Sequence, residues 1–228
     1  MGQLNDEQLS VAITGLSEWQ IDDIEQIGRG LLINTTRGDL KTIIHHEPRF
    51  PTDKGVVWVS GASGGFDGPA NGLYRKLSEK FSPEVTSLRV NYRIPNNLIE
   101  CVLDVLASVS FLVGTGHKEL ILIGHSFGGA VVIKASSFAS QVKSVIALAS
   151  QTHGATEASL VSPRSLLLIH GSEDTVLTPE CSQTIFDWAK DPKELFLING
   201  AGHSFKEKKE DLTIKIESWI KGIFLLNE

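Results

Sequence analysis

The chain has 228 residues, enough for one compact domain with a sizeable core but too few for two large domains. Its net charge of −6 at pH 7 disfavours nucleic acid as a partner, because nucleic-acid binding relies on clustered lysine and arginine. No apolar run approaches the roughly 18 residues of a membrane span, and the N-terminus MGQLNDEQLS lacks the basic start and apolar core of a secretory signal. We therefore expect a globular protein that uses neither nucleic acid nor membrane as a partner.

Residues 1–27 are polar and are predicted to form an N-terminal extension ahead of a single domain at 28–228. Within this extension, the Asn-Asp-Glu run at 5–7 suggests the start of a short helix that continues to Gly15. Two β-rich runs follow at 31–35 and 40–46, and the turn between them contains a glycine. This pattern predicts an antiparallel hairpin.

From residue 55 onward, short apolar strands alternate with amphipathic helices. Strands are predicted at 55–60, 85–91, 119–124, 142–149, 164–170 and 194–199, and helices at 70–80, 96–113, 127–140, 179–190 and 206–224. Such alternation is typical of βαβ units. The expected fold is α/β, with a mostly parallel central sheet, helices on both faces and an N-terminal antiparallel hairpin.

The cysteines and histidines give no sign of a metal or redox site. Cys101 and Cys181 have neither metal-knuckle nor CxxC spacing, and the seven histidines form no HExxH pattern. Two reduced cysteines are the ordinary condition of a cytoplasmic protein. The sequence therefore predicts a cytoplasmic location, no metal and no cofactor.

The pattern G-x-S-x-G occurs twice, at 124–128 with Ser126 and at 61–65 with Ser63. A nucleophilic serine needs this pattern on a sharp turn from a strand into a helix, where the hydroxyl stands above the sheet. Ser126 follows an apolar strand and enters a helical stretch at once, whereas Ser63 is followed by GGFDGP, which cannot begin a helix immediately. Ser126 is therefore the predicted nucleophile.

A carboxylate and a histidine follow later strands. Asp174 comes directly after the strand at 164–170 and is the candidate that orients a histidine, with Glu173 as its neighbouring rival and a turn or N-cap role as the alternative. His203 lies on a loop of small residues between the last strand and the last helix, where its ring is free to reach the sheet edge. His125, beside the nucleophile, is predicted to support or line the site.

Taken together, these motifs resemble the α/β-hydrolase fold family, in particular its small dienelactone-hydrolase-like members without a large lid. The resemblance covers about residues 31–224 and rests on the order Ser126, Asp174, His203 and on the strand count between them. It implies a catalytic triad of these three residues. It also implies an oxyanion hole formed by the backbone N–H groups of Phe127 and Ala62, with Ser63 as the alternative second donor. The loop at 60–63, which carries Ala62, departs from the family's usual His-Gly-X, since Ser60 replaces the histidine.

The resemblance implies hydrolysis of a carboxylic ester or thioester through an acyl-enzyme, with a small molecule as the partner. The link at 150–163, where lids usually enter, is short, so we expect an open cleft with at most a short helical flap. Its predicted edge residues are Phe66, Asp67, Gln151, Thr152 and His153. Such a rim favours short or hydrophilic acyl groups. The alternatives are a non-catalytic binding or scaffold protein, and a lyase or perhydrolase that uses the same triad. The sequence makes no prediction of oligomeric state.

Overall fold

A computed structural model describes residues 10–22, 28–49 and 51–226 of the chain. The strands are β1 Ile13–Glu18, β2 Arg29–Thr35, β3 Gly38–His45, β4 Lys54–Val59, β5 Thr86–Asn91, β6 Glu119–His125, β7 Val142–Leu148, β8 Ser165–Gly171 and β9 Lys193–Ile198. The helices are α1 Pro69–Phe81, α2 Leu98–Gly114, α3 Phe127–Ser136, α4 Glu180–Trp188 and α5 Lys209–Phe224.

The described strands form one sheet in the order β1-β2-β3-β5-β4-β6-β7-β8-β9. The pairs β1–β2, β2–β3 and β3–β5 are antiparallel. The pairs β5–β4, β4–β6, β6–β7, β7–β8 and β8–β9 are parallel. The predicted α/β class is therefore confirmed, including the antiparallel hairpin, which is formed by β2 and β3.

Helices cover both faces of the sheet, as the alternation of elements predicts. One core holds buried side chains of α2, α3 and α4, among them Leu112, Ile133 and Ile185. The opposite core holds side chains of α1 and α5, such as Leu77 and Ile216. The central strands are buried from both sides, which explains why they are continuously apolar in the sequence.

The N-terminal segment differs from the prediction. Residues 13–15, expected at the end of a helix, begin strand β1, which pairs antiparallel with β2; residues 5–9 of the expected helix lie outside the described residues. Strand β1 joins the free edge of β2, and this tertiary pairing outweighs a weak local signal. Residues assigned to the extension therefore contribute a strand to the sheet, while the domain boundary at residue 28 stays a prediction.

Two helix boundaries differ from the expected ones by three residues or more. Helix α3 ends at Ser136 rather than at residue 140, because the chain must turn there to enter β7. Helix α5 begins at Lys209, after a short 3-10 helix at Lys206–Lys208. Helix ends depend on caps and neighbouring elements, which periodicity does not resolve.

The carboxyl ends of the parallel strands bring four loops to one edge of the sheet. They are the segments that follow β4, β6, β8 and β9, and they carry the glycine-rich loop, Ser126, Asp174 and His203 respectively. In an open parallel sheet, this edge is where ligands bind.

Candidate active site

Ser126 stands on a sharp turn between β6 and α3. Its φ of 57° and ψ of −120° are rare for a residue with a side chain, and its N–H donates to the carbonyl of Leu148 at 2.8 Å. The turn requires glycine on both sides. A Cβ on Gly124 would lie 2.0 Å from the carbonyl oxygen of Gly128, and a Cβ on Gly128 would lie 2.3 Å from that of Ser60. These contacts explain why the strand can turn so tightly into the helix.

The structure brings Ser126, His203 and Asp174 into one hydrogen-bonded chain. The His203 Nε2 lies 3.1 Å from the Ser126 Oγ, and the His203 Nδ1 lies 2.7 Å from the Asp174 Oδ2. Since an ionised carboxylate only accepts hydrogen bonds, the Nδ1 carries the proton and the Nε2 turns a lone pair toward the serine hydroxyl. This is the arrangement in which an imidazole can remove the hydroxyl proton.

Asp174 is held as an ionised acceptor by its own turn. Its side chain is fully buried, and its Oδ1 accepts the backbone N–H groups of Val176 and Leu177, each at 2.9 Å. Burial alone would raise the pKa of Asp174, but the hydrogen bonds from His203, Leu177 and Val176 outweigh it and hold the pKa below its usual value. The rival Glu173 is exposed, and the carboxylate that meets His203 belongs to Asp174.

A second histidine, which the sequence analysis did not single out, also meets this carboxylate. His170 is fully buried in β8; its Nε2 lies 3.2 Å from the Asp174 Oδ2 and 2.8 Å from the carbonyl oxygen of Leu177. Its Nδ1 lies 2.6 Å from the Ser182 Oγ. The sequence feature that could have pointed to His170 is a polar residue near the end of an otherwise apolar strand, LLLIHG.

His125, predicted to line or support the site, contacts the loop that carries His203. Its Nε2 donates to the backbone carbonyl of His203 at 2.9 Å, and the two rings lie 4.9 Å apart. Burial lowers the pKa of His125 to about 4, so the ring is neutral near pH 7. His125 therefore contacts the backbone of the His203 loop without adding charge next to Ser126.

The glycine-rich loop passes beside Ser126. A Cβ on Gly61 would lie 3.6 Å from the Ser126 Cβ, and Ala62 and Ser63 follow as exposed residues. Phe127 is the first residue of α3, so its N–H is among the helix donors that have no acceptor within the helix. The two segments that carry the predicted oxyanion donors thus flank Ser126.

Side chains of strand β5 hold the glycine-rich loop at residues 65–67. The N–H of Gly65 donates to the Asn91 Oδ1 at 2.8 Å, and the buried guanidinium of Arg89 lies 3.5 Å from both the carbonyl oxygen of Phe66 and the Asp67 Oδ1. Arg89 and Asn91 are two residues apart and belong to one face of the strand. Arg89 therefore ties the predicted rim residues Phe66 and Asp67 to the sheet, and Asn91 ties the preceding Gly65; the sequence analysis missed both side chains.

The remaining predicted rim residues lie on the short link between β7 and β8. The Gln151 Nε2 donates to the carbonyl of His153 at 2.8 Å, and His153 and Thr152 are exposed or partly exposed. The link contains one short 3-10 helix, Ala158–Leu160, which matches the expected short flap. Phe66 instead packs on Trp19, with ring centroids 5.8 Å apart.

The described residues offer no clear place for a metal ion. Among residues 10–22, 28–49 and 51–226, no three His, Cys, Asp or Glu side chains are arranged to hold one. Within the same part of the chain, no helix combines the length and apolar character needed to cross a bilayer.

Solved structures with the same fold support this architecture at low sequence identity. A dienelactone hydrolase from Anabaena variabilis superimposes with a TM-score of 0.71 at 15% identity, covering 82% of this chain and 93% of that one. An alpha-beta serine hydrolase homologue from Coxiella burnetii gives 0.70 at 20% identity, covering 88% and 98%. A monoacylglycerol lipase from Paleococcus ferrophilus gives 0.66 at 16%, covering 81% and 99%. No curated protein matches the chain.

A family model matches more than half of the chain. The model described as platelet-activating factor acetylhydrolase, isoform II, matches residues 95–227, the part that contains Ser126, Asp174 and His203. The glycine-rich loop lies outside the matched residues. The fold and this match together confirm the resemblance to α/β-hydrolases. The chain is therefore an α/β-hydrolase that belongs to the platelet-activating factor acetylhydrolase, isoform II, family.

Proposed function

We propose that the protein hydrolyses a carboxylic ester or thioester through an acyl-enzyme formed on Ser126. The observation that carries the proposal is the continuous chain from the Ser126 hydroxyl through His203 to Asp174, with distances of 3.1 and 2.7 Å. Each atom in this chain has the donor or acceptor role that nucleophilic catalysis requires. Family membership supports the same reaction, since the family is described as an acetylhydrolase.

In the first half of the reaction, His203 removes the proton of Ser126 as the hydroxyl oxygen attacks the substrate carbonyl. Asp174 keeps the imidazole in the correct tautomer and stabilises its charged form. His203 then donates the proton to the leaving alcohol or thiol. In the second half, His203 removes a proton from water as the water oxygen attacks the acyl carbonyl. The bond between the acyl carbon and the Ser126 Oγ then breaks, His203 returns the proton to that Oγ, and the acyl group leaves as a carboxylic acid.

The negative charge that develops on the carbonyl oxygen needs donors already in place. We assign this role to the backbone N–H groups of Phe127, at the start of α3, and of Ala62, with Ser63 as the alternative to Ala62. One such donor is worth about 3 kcal/mol of transition-state stabilisation. Support comes from the position of the glycine-rich loop beside Ser126 and from the helix N-terminus, whose dipole favours negative charge.

A short acyl group is the substrate class that we propose. The link between β7 and β8 is a short loop with one turn of 3-10 helix, so it supplies little surface to enclose a long chain. The acetyl group named in the family description is a short acyl group. Phe66, Gln151 and His153 are the proposed contacts at the rim. A cytoplasmic location stays a prediction from the sequence.

An activity probe tests the reaction, and a substrate series tests the chain length. We expect a fluorophosphonate to label the protein at Ser126, identified by mass spectrometry of the modified peptide, and heat-unfolded protein to remain unlabelled. A p-nitrophenyl series from acetate to laurate should give kcat/KM values that fall with chain length. Absence of labelling on folded protein would favour a binding or scaffold role. Rates that rise toward laurate would contradict the short-acyl assignment.

A further inference from the structure

His170 is a fully buried polar side chain in a strand whose other inward residues are apolar. An apolar residue there would avoid the desolvation cost of burying an imidazole. Every polar atom of this ring has a partner: Leu177 and Asp174 at the Nε2, and Ser182 at the Nδ1. The position therefore calls for an explanation in terms of what the ring does for those partners.

The partners determine where the proton of His170 resides. The carbonyl of Leu177 can only accept, so the Nε2, at 2.8 Å, must carry the hydrogen. The Nδ1 is then the acceptor for the hydroxyl of Ser182 at 2.6 Å. Burial lowers the pKa of His170, which keeps the ring neutral. His170 is thus a neutral donor whose N–H is directed at the turn that carries Asp174.

The Nε2 of His170 also lies close to the carboxylate oxygen that meets His203. The Asp174 Oδ2 lies 3.2 Å from the Nε2 of His170 and 2.7 Å from the Nδ1 of His203, so two imidazoles flank one oxygen. The other oxygen accepts two backbone N–H groups. With all these donors in place, rotation of the carboxylate would break several hydrogen bonds at once. The direction of the Oδ2 toward His203 is thereby restricted.

We propose that His170 is a positioning residue for the hydrolytic reaction, acting through Asp174 to orient His203, with Ser182 holding the ring in its donating tautomer. This inference rests on the proposed function. The chain Ser182, His170, Asp174, His203, Ser126 is continuous through the distances given above. His170 is too deeply buried to meet substrate, so its loss affects the rate constant of the chemical step rather than the binding of substrate.

Two substitutions of similar length separate positioning from packing. His170→Gln keeps an N–H donor near the place of the Nε2, whereas His170→Met fills similar space without a donor. Steady-state hydrolysis of p-nitrophenyl acetate is measured for both, with kcat divided by the folded fraction from urea unfolding curves. We expect Met to lower kcat by about 10- to 100-fold, as small misplacements of catalytic groups do, with KM within twofold of wild type. Gln should retain most of the rate.

Equal losses in the two variants, or no loss in either, would overturn the proposal. So would a methionine variant that does not fold beside a glutamine variant that does, since that result assigns His170 to stability alone. A wild-type protein that neither reacts with a fluorophosphonate nor hydrolyses the ester would instead refute the proposed function. Labelling and hydrolysis by the wild-type protein therefore distinguish failure of the proposed function from failure of the role proposed for His170.

Discussion

The two G-x-S-x-G segments of this chain share a pattern but not a conformation. Segment 124–128 runs from the end of β6 into α3, and Ser126 at its centre has a φ of 57°. In segment 61–65 the positive φ values fall on Gly64 and Gly65, at 73° and 92°, while Ser63 has none. The same letters therefore place the strained backbone on the serine in one segment and on the glycines in the other.

The surroundings of the two serines differ in the same way. Ser126 lies 3.1 Å from the ring of His203, whereas Ser63 is exposed on a turn closed by the bond from the N–H of Gly64 to the carbonyl of Gly61 at 3.0 Å. The second segment nonetheless passes beside Ser126, and a Cβ on its Gly61 would lie 3.6 Å from the Ser126 Cβ. A local pattern thus identifies a nucleophile only when a strand precedes it and a helix follows it.

The largest expected effect separates the two serines. Ser126→Ala should lower kcat/KM for p-nitrophenyl acetate by about 10⁴-fold or more, because loss of a triad serine removes the nucleophile altogether. Ser63→Ala, the matched control, should stay within a few-fold of wild type, since the backbone N–H groups of its loop are kept. Circular dichroism should show both proteins folded. Substantial activity in the first variant together with an inactive second variant would reverse our assignment of the nucleophile.

A smaller effect separates the glycines of the two segments. Gly128→Ala places a Cβ 2.3 Å from the carbonyl oxygen of Ser60, and backbone must move to accept it. We expect a loss of about 3 kcal/mol in the free energy of unfolding, as for severe overpacking. Gly65→Ala meets no atom within 4 Å and costs only the strain of its φ of 92°, about 1–2 kcal/mol.

Urea unfolding at pH 7 measures this difference through the two midpoints and slopes. A Gly128 variant as stable as the Gly65 variant would show that the turn at Ser126 has room to relax, and that the close approach of Gly128 to Ser60 is not required.

The smallest expected effect concerns the residue before each serine, which is His125 in one segment and Ala62 in the other. Burial lowers the pKa of His125 to about 4 from its usual 6.5. The unfolded chain therefore binds a proton between these values that the folded chain does not. Stability contributed by the neutral ring is complete above pH 6.5 and is lost as the pH falls toward 4, by up to about 1.4 kcal/mol per pH unit.

Thermal or urea unfolding at pH 7 and pH 5 should therefore show a smaller acid destabilisation for His125→Gln than for wild type. The glutamine keeps an amide donor for the carbonyl of His203 but does not titrate. Asp104, whose pKa burial raises to about 6, acts in the opposite direction in both proteins, so the difference between them isolates His125. Identical pH dependence would mean that His125 is protonated as readily in the folded state as in the unfolded state.

The periodicity of apolar residues and the positions of glycine and proline were sufficient to predict the parallel strands, the hairpin and most helices. Buried parallel strands are apolar throughout, and the apolar residues of amphipathic helices repeat at 3.6 residues. Strand β1 was missed because its pairing depends on the free edge of β2 rather than on its own residues, of which Leu16 is half exposed. The same limit applies to Trp19, whose packing on Phe66 joins segments far apart in the chain.

The order of Ser126, Asp174 and His203, each placed just after a strand, could be read from local context, because parallel strands deliver their carboxyl ends to one edge. Their hydrogen-bonded distances, and the inclusion of His170, Arg89 and Asn91 around them, depended on strand order and side-chain burial. A linear pattern carries the type and spacing of residues along one chain. Which donor meets which acceptor is decided by contacts between strands that are distant in sequence, and only the folded sheet brings those together.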